Sequence, residues 1–214
     1  MAHHHDIPHD MFAPDTVHDR GYMLGRLLSQ IFHPILLNIA AFLIVGYYTL
    51  ETHVAGLKWA GLCILFQVLP PTVFFSVRLR QGAYVDEDIS VRQQRNELYL
   101  FGFAWVAFIT VVLTLLGAPQ PFLALMICAL AMGLLGGLIN LFWKISVHSA
   151  SIASTATIAL LYSRTLGIML WLCALVLGWA RVRTGNHTPM QVLAGFGTAA
   201  AVVLAVFYVI GVRV

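Results

Sequence analysis

The sequence predicts an all-α protein, built as one polytopic bundle of transmembrane helices. Of its 214 residues, 60% are hydrophobic and 10% are charged, whereas about a quarter of the residues in a soluble domain are charged. About seven apolar stretches approach the length that a helix needs to cross a bilayer, or about six if one of them is not a true span. They are residues 31–50, 56–77, 97–117, 121–143, 147–163, 165–182 and 189–212.

The chain divides into a polar N-terminal tail, residues 1–30, and a single transmembrane domain, residues 31–214. We interpret the tail as a polar lead-in, with a weak metal-binding segment or an expression tag as alternatives. Its first histidines are His3, His4, His5 and His9. No secretory signal is predicted, because the first apolar run begins only near Ile31 and has no small-residue cleavage pattern.

Three segments of the transmembrane domain have a distinctive composition. Pro70-Pro71 predicts a kink in the second span, because two backbone donors are lost. The fifth span, 147–163, is rich in serine and threonine, whose small side chains allow helices to approach closely. We expect it to be the most buried helix, with a cavity-lining role as the alternative. The only long polar connection is 78–96.

The basic residues are distributed unevenly between the two predicted membrane faces. Nine of the 12 Lys and Arg residues share the face of loop 78–96 and the N-terminus, and three lie opposite. The nine are Arg20, Arg26, Arg78, Arg80, Arg92, Arg95, Lys144, Arg181 and Arg183, and the three are Lys58, Arg164 and Arg213. The positive-inside rule makes the first face cytoplasmic. The expected location is the plasma membrane of a bacterial or archaeal cell, with the N-terminus and the candidate site inside.

Composition also excludes several functions. The formal net charge of +3 is too small to indicate a nucleic-acid partner. Cys63, Cys128 and Cys173 all lie in apolar runs without Cys-x-x-Cys spacing, so we expect packing residues and neither disulfides nor a zinc site.

Chemistry-bearing residues concentrate in two polar clusters, 143–148 and 179–191. An even number of predicted spans separates loop 78–96 from the first cluster, and the first cluster from the second. Arg95, Lys144, His148, Arg181 and His187 can therefore meet at one membrane face. Two histidines among cations suit phosphoryl transfer without a metal, because one imidazole can attack phosphorus and the other can protonate the leaving oxygen.

Two other features are expected to take no part in this chemistry. The acidic run Asp86-Glu87-Asp88 is interpreted as part of a solvated loop. His33 and His53 are interpreted as interfacial or packing residues.

The spacing in these clusters resembles the type 2 phosphatidic acid phosphatase superfamily, whose signatures are Lys-x6-Arg-Pro, Pro-Ser-Gly-His and Ser-Arg-x5-His-x3-Asp. Arg181, His187 and Gln191 keep the spacing of the third signature, with Gln191 in the aspartate position. Ser146-Val147-His148 matches the second, with valine in place of glycine. The resemblance covers about residues 78–212 of the chain.

The first signature is the poorest match. Arg95 stands in the arginine position and Asn96 in the proline position, while Asp88 occupies the lysine position. Lys144, four residues before His148, is our candidate replacement for that lysine. Gln191 can accept the same hydrogen bond from the histidine as an aspartate, but it brings no negative charge.

The resemblance implies an enzyme that hydrolyses a lipid phosphate or an isoprenyl diphosphate through a phosphohistidine, without metal or cofactor. It implies catalytic roles for His187 as nucleophile, His148 as general acid and Gln191 as the partner of His187. The phosphate ligands are expected to be Arg181, Ser146, Lys144 and Arg95.

Membrane lipids and the lipid-phosphate substrate are the predicted partners. A non-catalytic lipid-binding or accessory subunit of a larger membrane complex, on a degenerate phosphatase scaffold, is the alternative. A transporter or channel is a third reading, which no polar stripe along a span supports.

Overall fold

A computed structural model of the chain describes residues 19–212. Within that range the chain forms eight α-helices and no strand, which confirms the predicted all-α class. The helices are α1 (Arg20–Ile31), α2 (Pro34–Thr49), α3 (His53–Arg80), α4 (Arg95–Leu115), α5 (Gln120–Phe142), α6 (Val147–Tyr162), α7 (Arg164–Arg183) and α8 (Pro189–Ile210). The N-terminal histidines of the predicted tail lie outside the described residues.

Five helices, α3, α4, α5, α7 and α8, are long and apolar enough to cross a membrane. Helices α1 and α2 pass the same test only as a pair, bent by 42°, which brings the number to six. Helix α6 has 16 residues. It therefore rises about 24 Å, less than the roughly 30 Å of a bilayer's hydrocarbon core. The predicted fifth segment is thus the one that falls short of a full span.

Residues 20–30, predicted as part of the polar tail, belong to helix α1 instead. The helix packs against α7, where Gly25 lies close to the backbone of Ala180. Asp19, just before α1, forms an ion pair with Arg183. Apolar and polar residues alternate around α1, so its sequence has no continuous apolar run to reveal it.

Helix α3 passes through Pro70-Pro71 by means of a π-helical turn, Ile64–Val68. Because Pro70 has no N–H, the carbonyl of Phe66 four residues earlier loses its helical donor. The indole Nε1 of Trp105 in α4 donates to that carbonyl at 2.7 Å. A neighbouring helix thus satisfies the freed carbonyl, as the interior of a membrane requires.

Helix α6 is the centre of the bundle, in contact with α2, α7 and α8. Most of its residues are buried, including Thr155 and Thr157, which confirms the prediction that it is the most buried helix. Its neighbours approach closely because small residues face it; a Cβ on Gly195 of α8 would lie 2.9 Å from the carbonyl oxygen of Ser146. This packing brings the start of α6 against the start of α8.

We expect Gly56→Ala to lower the thermal unfolding temperature of the protein in detergent micelles. A Cβ at Gly56 would lie 1.7 Å from the carbonyl oxygen of Gly46, so α2 and α3 would have to separate, and overpacking of this kind costs about 1–3 kcal/mol. Gly61→Ala in the same helix is the matched control, because a Cβ there meets nothing within 4 Å. Equal unfolding temperatures for the two variants would contradict the close approach.

Candidate active site

Polar groups from three connections and from the end of α7 meet at one end of the bundle. In the α3–α4 loop, Asp88 Oδ1 lies 2.8 Å from Nη2 of Arg181, near the end of α7. In the α5–α6 connection, Lys144 Nζ donates to the carbonyl of Asn186 at 2.9 Å. The predicted convergence of the polar clusters is therefore observed in the structure.

A cavity of about 410 Å³ opens beside this cluster and continues between α2, α3, α4, α5 and α6. Arg181, His148 and His187 line its polar end. The lining residues of α6 include His148 and, about 15 Å further along the helix axis, Ile158. Beyond the polar end the walls are mostly apolar, so the cavity suits an amphipathic ligand with a charged head and an apolar chain.

His187 is held by Gln191, one turn into α8. The Gln191 carbonyl oxygen Oε1 lies 3.0 Å from Nδ1 of His187 and also accepts the backbone N–H of Thr188 at 3.2 Å. Thr188 and Gln191 form a capping box at the start of α8. Since Oε1 accepts in both contacts, His187 must carry its proton on Nδ1. The other nitrogen, Nε2, then has a free lone pair.

The electrostatic surroundings keep His187 neutral. Burial lowers the pKa of the imidazole to about 3, and the cations Lys144 and Arg181 act in the same direction. The Gln191 hydrogen bond opposes them. At neutral pH the ring is therefore an unprotonated base, which is the form in which an imidazole acts as a nucleophile.

His148 lies in the first turn of α6 and is 9% exposed. Its Nδ1 is 4.0 Å from Oδ1 of Asp88. Its ring is in edge contact with that of His33, with centroids 5.7 Å apart. His33, predicted as a packing residue, also lines the cavity. It caps α2 through Nδ1, which accepts the N–H of Ile35 at 3.3 Å.

Arg181 is 1% exposed. Besides the contact of Nη2 with Asp88, its Nε has no hydrogen-bond partner among the described residues. A buried cation is costly unless it is paired. Asp88 pairs with it within the protein, and an anionic ligand in the cavity is the other available partner.

Arg95, predicted as a phosphate ligand, also binds the protein backbone. Its guanidinium donates to three backbone carbonyls, those of Asp88, Ile89 and Ile145, at 3.0, 2.8 and 3.2 Å. The side chain is 5% exposed and lines the cavity. It therefore ties the α3–α4 loop to the start of α6 and adds positive charge to the site.

Ser146 and Lys144, also predicted as phosphate ligands, both lie outside the cavity wall. Ser146 is fully buried, and its Oγ caps α6 by accepting the N–H of Ser149 at 3.3 Å. The Lys144 ammonium lies beside the His187 loop; burial lowers its pKa, and the nearby cations Arg95 and Arg181 lower it further. Ser146 thus shapes the helix terminus, while Lys144 contributes charge next to His187.

Asp88 is the site residue that the sequence interpretation missed. We expected a solvated loop, yet its carboxylate contacts Arg181 and accepts a hydrogen bond from the side chain of Asn186. Although burial disfavours the charged carboxylate, Arg181 and His148 hold the pKa of Asp88 below its usual value. The available signal was its position seven residues before Arg95, in the register of the first signature.

No cluster of three or more His, Cys, Asp and Glu side chains that could hold a metal ion is present within residues 19–212. The chain matches no protein-family model, no curated protein and no solved structure. The arrangement of the site is therefore the basis for any statement about function. Its chemical content is a neutral histidine with a free Nε2, a second histidine and three nearby cations, Arg95, Lys144 and Arg181.

Proposed function

We propose that the protein is a membrane-embedded, metal-independent phosphatase of the type 2 phosphatidic acid phosphatase kind. Its substrate class is a lipid phosphate or an isoprenyl diphosphate. The observation that carries the proposal is the Gln191 contact, which places the proton of the neutral His187 ring on Nδ1 and leaves Nε2 unprotonated. This is the state that attack on phosphorus requires. His187 lines the same cavity as Arg181 and His148.

In the first step, Nε2 of His187 attacks the phosphorus and forms a P–N bond. The bond from phosphorus to the leaving oxygen breaks, and the protonated form of His148, which carries a proton on both ring nitrogens, gives its Nε2 proton to that oxygen and becomes neutral. Arg181, with Lys144 and Arg95 nearby, offsets the negative charge on the phosphoryl oxygens. The dephosphorylated lipid leaves, and the phosphoryl group stays on His187.

In the second step, His148, now neutral, takes a proton from a water molecule. The resulting oxygen nucleophile attacks phosphorus, the P–N bond breaks, and inorganic phosphate is released. His187 returns to its Nδ1–H tautomer, which the Gln191 Oε1 contact at 3.0 Å favours throughout. The two histidines thus exchange no proton with each other.

The shape of the cavity supports a lipid substrate. A water-soluble phosphate needs only the polar end, whereas the apolar walls continue along α6 for about 15 Å. Burying an alkyl or isoprenyl chain there gains about 25 cal/mol for each Å² of apolar surface removed from water. The headgroup then lies among the cations, with the chain inside the bundle.

The direct test is phosphate release by the purified protein in detergent or vesicles. Phosphatidic acid and an isoprenyl diphosphate are the substrates, and EDTA is present throughout. We expect turnover that EDTA does not inhibit. No release from either substrate class by well-folded protein would reject the proposal.

A non-catalytic subunit is the second candidate. It is favoured by the ion pair between the Asp88 carboxylate and the Arg181 guanidinium. Asp88 satisfies this guanidinium within the chain, so the site needs no phosphate to be stable. Gln191, Val147 and Asn96 also depart from the phosphatase signatures. Stoichiometric co-purification with other membrane proteins, without turnover, would favour this function.

We expect Gln191→Glu to move the acid limb of kcat/KM to higher pH. The isosteric carboxylate can accept the same two hydrogen bonds, and its charge raises the pKa of His187 from about 3. A higher pKa means that the non-nucleophilic, protonated imidazole appears at a higher pH. In the wild type, protonation of His187 should not limit kcat/KM between about pH 5 and pH 8.

Gln93→Glu is the control for this variant. Gln93 is exposed in the α3–α4 connection, so the substitution adds the same charge without contacting His187. An unchanged acid limb in Gln191→Glu, or an equal shift in both variants, would contradict the role of Gln191.

A further inference from the structure

The carboxylate of Asp88 lies against Arg181 and His148 of the candidate site, whereas Glu87, the other acidic residue that lines the cavity, is exposed. One oxygen lies 2.8 Å from Nη2 of Arg181 and 4.0 Å from Nδ1 of His148. The other accepts a hydrogen bond from Asn186. Asp88 therefore touches a phosphate-binding cation, the loop of the nucleophile and the general acid at once.

The backbone around Asp88 is held in an unusual conformation. Ile89, the next residue, has φ of 45°, a region that is unfavourable for a β-branched side chain. Such strain persists only where surrounding contacts enforce it. Here Arg95 supplies them, because its guanidinium donates to the carbonyls of both Asp88 and Ile89. The fold thus uses a buried arginine to direct a carboxylate into the site.

His148 needs a partner at Nδ1 to work from Nε2. Its ring nitrogens make no hydrogen bond within the part of the chain that the structure describes, and the carboxylate of Asp88 is an acceptor that faces Nδ1. A distance of 4.0 Å exceeds a hydrogen bond, and catalytic contacts of this kind often shorten when the ligand binds. His187 already has its equivalent partner in Gln191.

We propose that Asp88 is the positioning residue of His148: it accepts the Nδ1–H of this imidazole and directs Nε2 toward the leaving oxygen. The proposal deepens, and for its catalytic consequence rests on, the proposed phosphatase function. Gln191, the partner of His187, carries no negative charge. The negative charge of Asp88 lies instead near His148, and it comes from the α3–α4 loop, which is distant in sequence. Asp88 also orients Arg181, so a single carboxylate serves the general acid and a phosphate ligand.

Several charged or titratable groups face His148, and their effects differ in sign. Burial is the largest influence and disfavours its protonated form, and Arg181 from α7, His33 from the α1–α2 junction and His187 from the α7–α8 loop act in the same direction. Asp88 alone among these favours it. Removing the Asp88 charge therefore leaves a smaller fraction of His148 protonated at a given pH, and Nδ1 also loses the acceptor that fixes its tautomer.

The test is ¹⁵N NMR of histidine-labelled protein in detergent micelles, with the His148 signals assigned by comparison with His148→Gln. In the wild type we expect neutral His148 as the Nδ1–H tautomer, and in Asp88→Asn a shift toward the Nε2–H tautomer. Asp88→Glu should restore the first tautomer at least in part. An unchanged tautomer in Asp88→Asn, with the protein folded, would overturn the proposal.

Glu87→Gln is the matched control, since it removes an exposed carboxylate from the neighbouring position and should leave the His148 tautomer unchanged. Should Asp88→Asn fail to fold, the wild-type spectrum still decides, because an Nε2–H tautomer there contradicts the proposal.

Measurements of turnover distinguish a failure of this inference from a failure of the proposed function. In an active protein, we expect Asp88→Asn to lower kcat by about 10- to 100-fold, as with other supporting residues, and to move the alkaline limb of the pH profile to lower pH. Equal or faster turnover with tighter binding of inorganic phosphate would instead show Asp88 to be a competitor for the anion site, and would overturn the positioning role. If the wild-type protein has the Nδ1–H tautomer of His148 but no turnover, the proposed phosphatase function is rejected and the contact between Asp88 and His148 is still supported.

Discussion

Replacing His187 with alanine is expected to abolish turnover of lipid phosphates, with a loss of at least about 10⁴-fold in kcat, as for other catalytic nucleophiles. The reason is that His187 is the only histidine at the site that the structure holds in the Nδ1–H tautomer by a direct hydrogen bond, to Gln191. In the proposed mechanism no P–N bond forms without it, so the acid-labile phosphohistidine expected during turnover should also disappear. Phosphate release and trapping of the labelled enzyme measure the two effects separately.

Two variants control this experiment. His53→Ala removes an exposed histidine at the start of α3, the end of the helix remote from the site, and should leave turnover unchanged. His148→Ala should lower turnover by about 10²- to 10⁴-fold, the usual contribution of a general acid. Full activity in His187→Ala would exclude the phosphohistidine mechanism, whatever the result with His148→Ala.

Replacing Arg181 with alanine is expected to lower both turnover and stability. Loss of a charge-stabilising donor in a buried site typically costs about 10²- to 10³-fold in kcat. The stability effect arises because Asp88 loses its charged partner; with about a third of its side chain still exposed, we expect about 1–3 kcal/mol. Phosphate release and thermal unfolding in detergent give the two values.

Arg183→Ala is the matched control for Arg181→Ala. The two residues are neighbours on α7, but Arg183 forms an ion pair with Asp19 in which both side chains are about two-fifths exposed. Such pairs contribute only about 0–1 kcal/mol. The double variant Arg181→Ala/Asp88→Asn should regain stability without regaining turnover. Recovery of turnover in the double variant would mean that Arg181 acts only by neutralising Asp88.

The helical membrane fold was predictable because a bilayer imposes a simple requirement on sequence. A spanning helix must satisfy its own backbone and present apolar side chains to lipid, so continuous apolar runs reveal it. Helix α1 escaped this pattern because it packs on α7 by one face only, and α6 has the composition of a span without the length.

The pairing of His187 with Gln191 was also predictable from sequence, because residues four apart in a helical turn are neighbours. The convergence of His148, His187 and Arg181 required only an even number of helices between their clusters. The first inference uses local helix geometry and the second uses the even number of helices between the clusters. Neither depends on how the helices pack.

The contacts of Asp88 and Arg95 were decided by tertiary structure alone. Asp88 and Arg181 are 93 residues apart in the chain, and Arg95 and Ile145 are 50 apart. Whether such groups meet depends on the packing of α6 and on the path of the α3–α4 loop, which hydropathy does not encode. The sequence thus determined by itself that this is a membrane helical bundle with two histidines at one face. Only the packed structure decided that a carboxylate pairs with Arg181 and lies near His148.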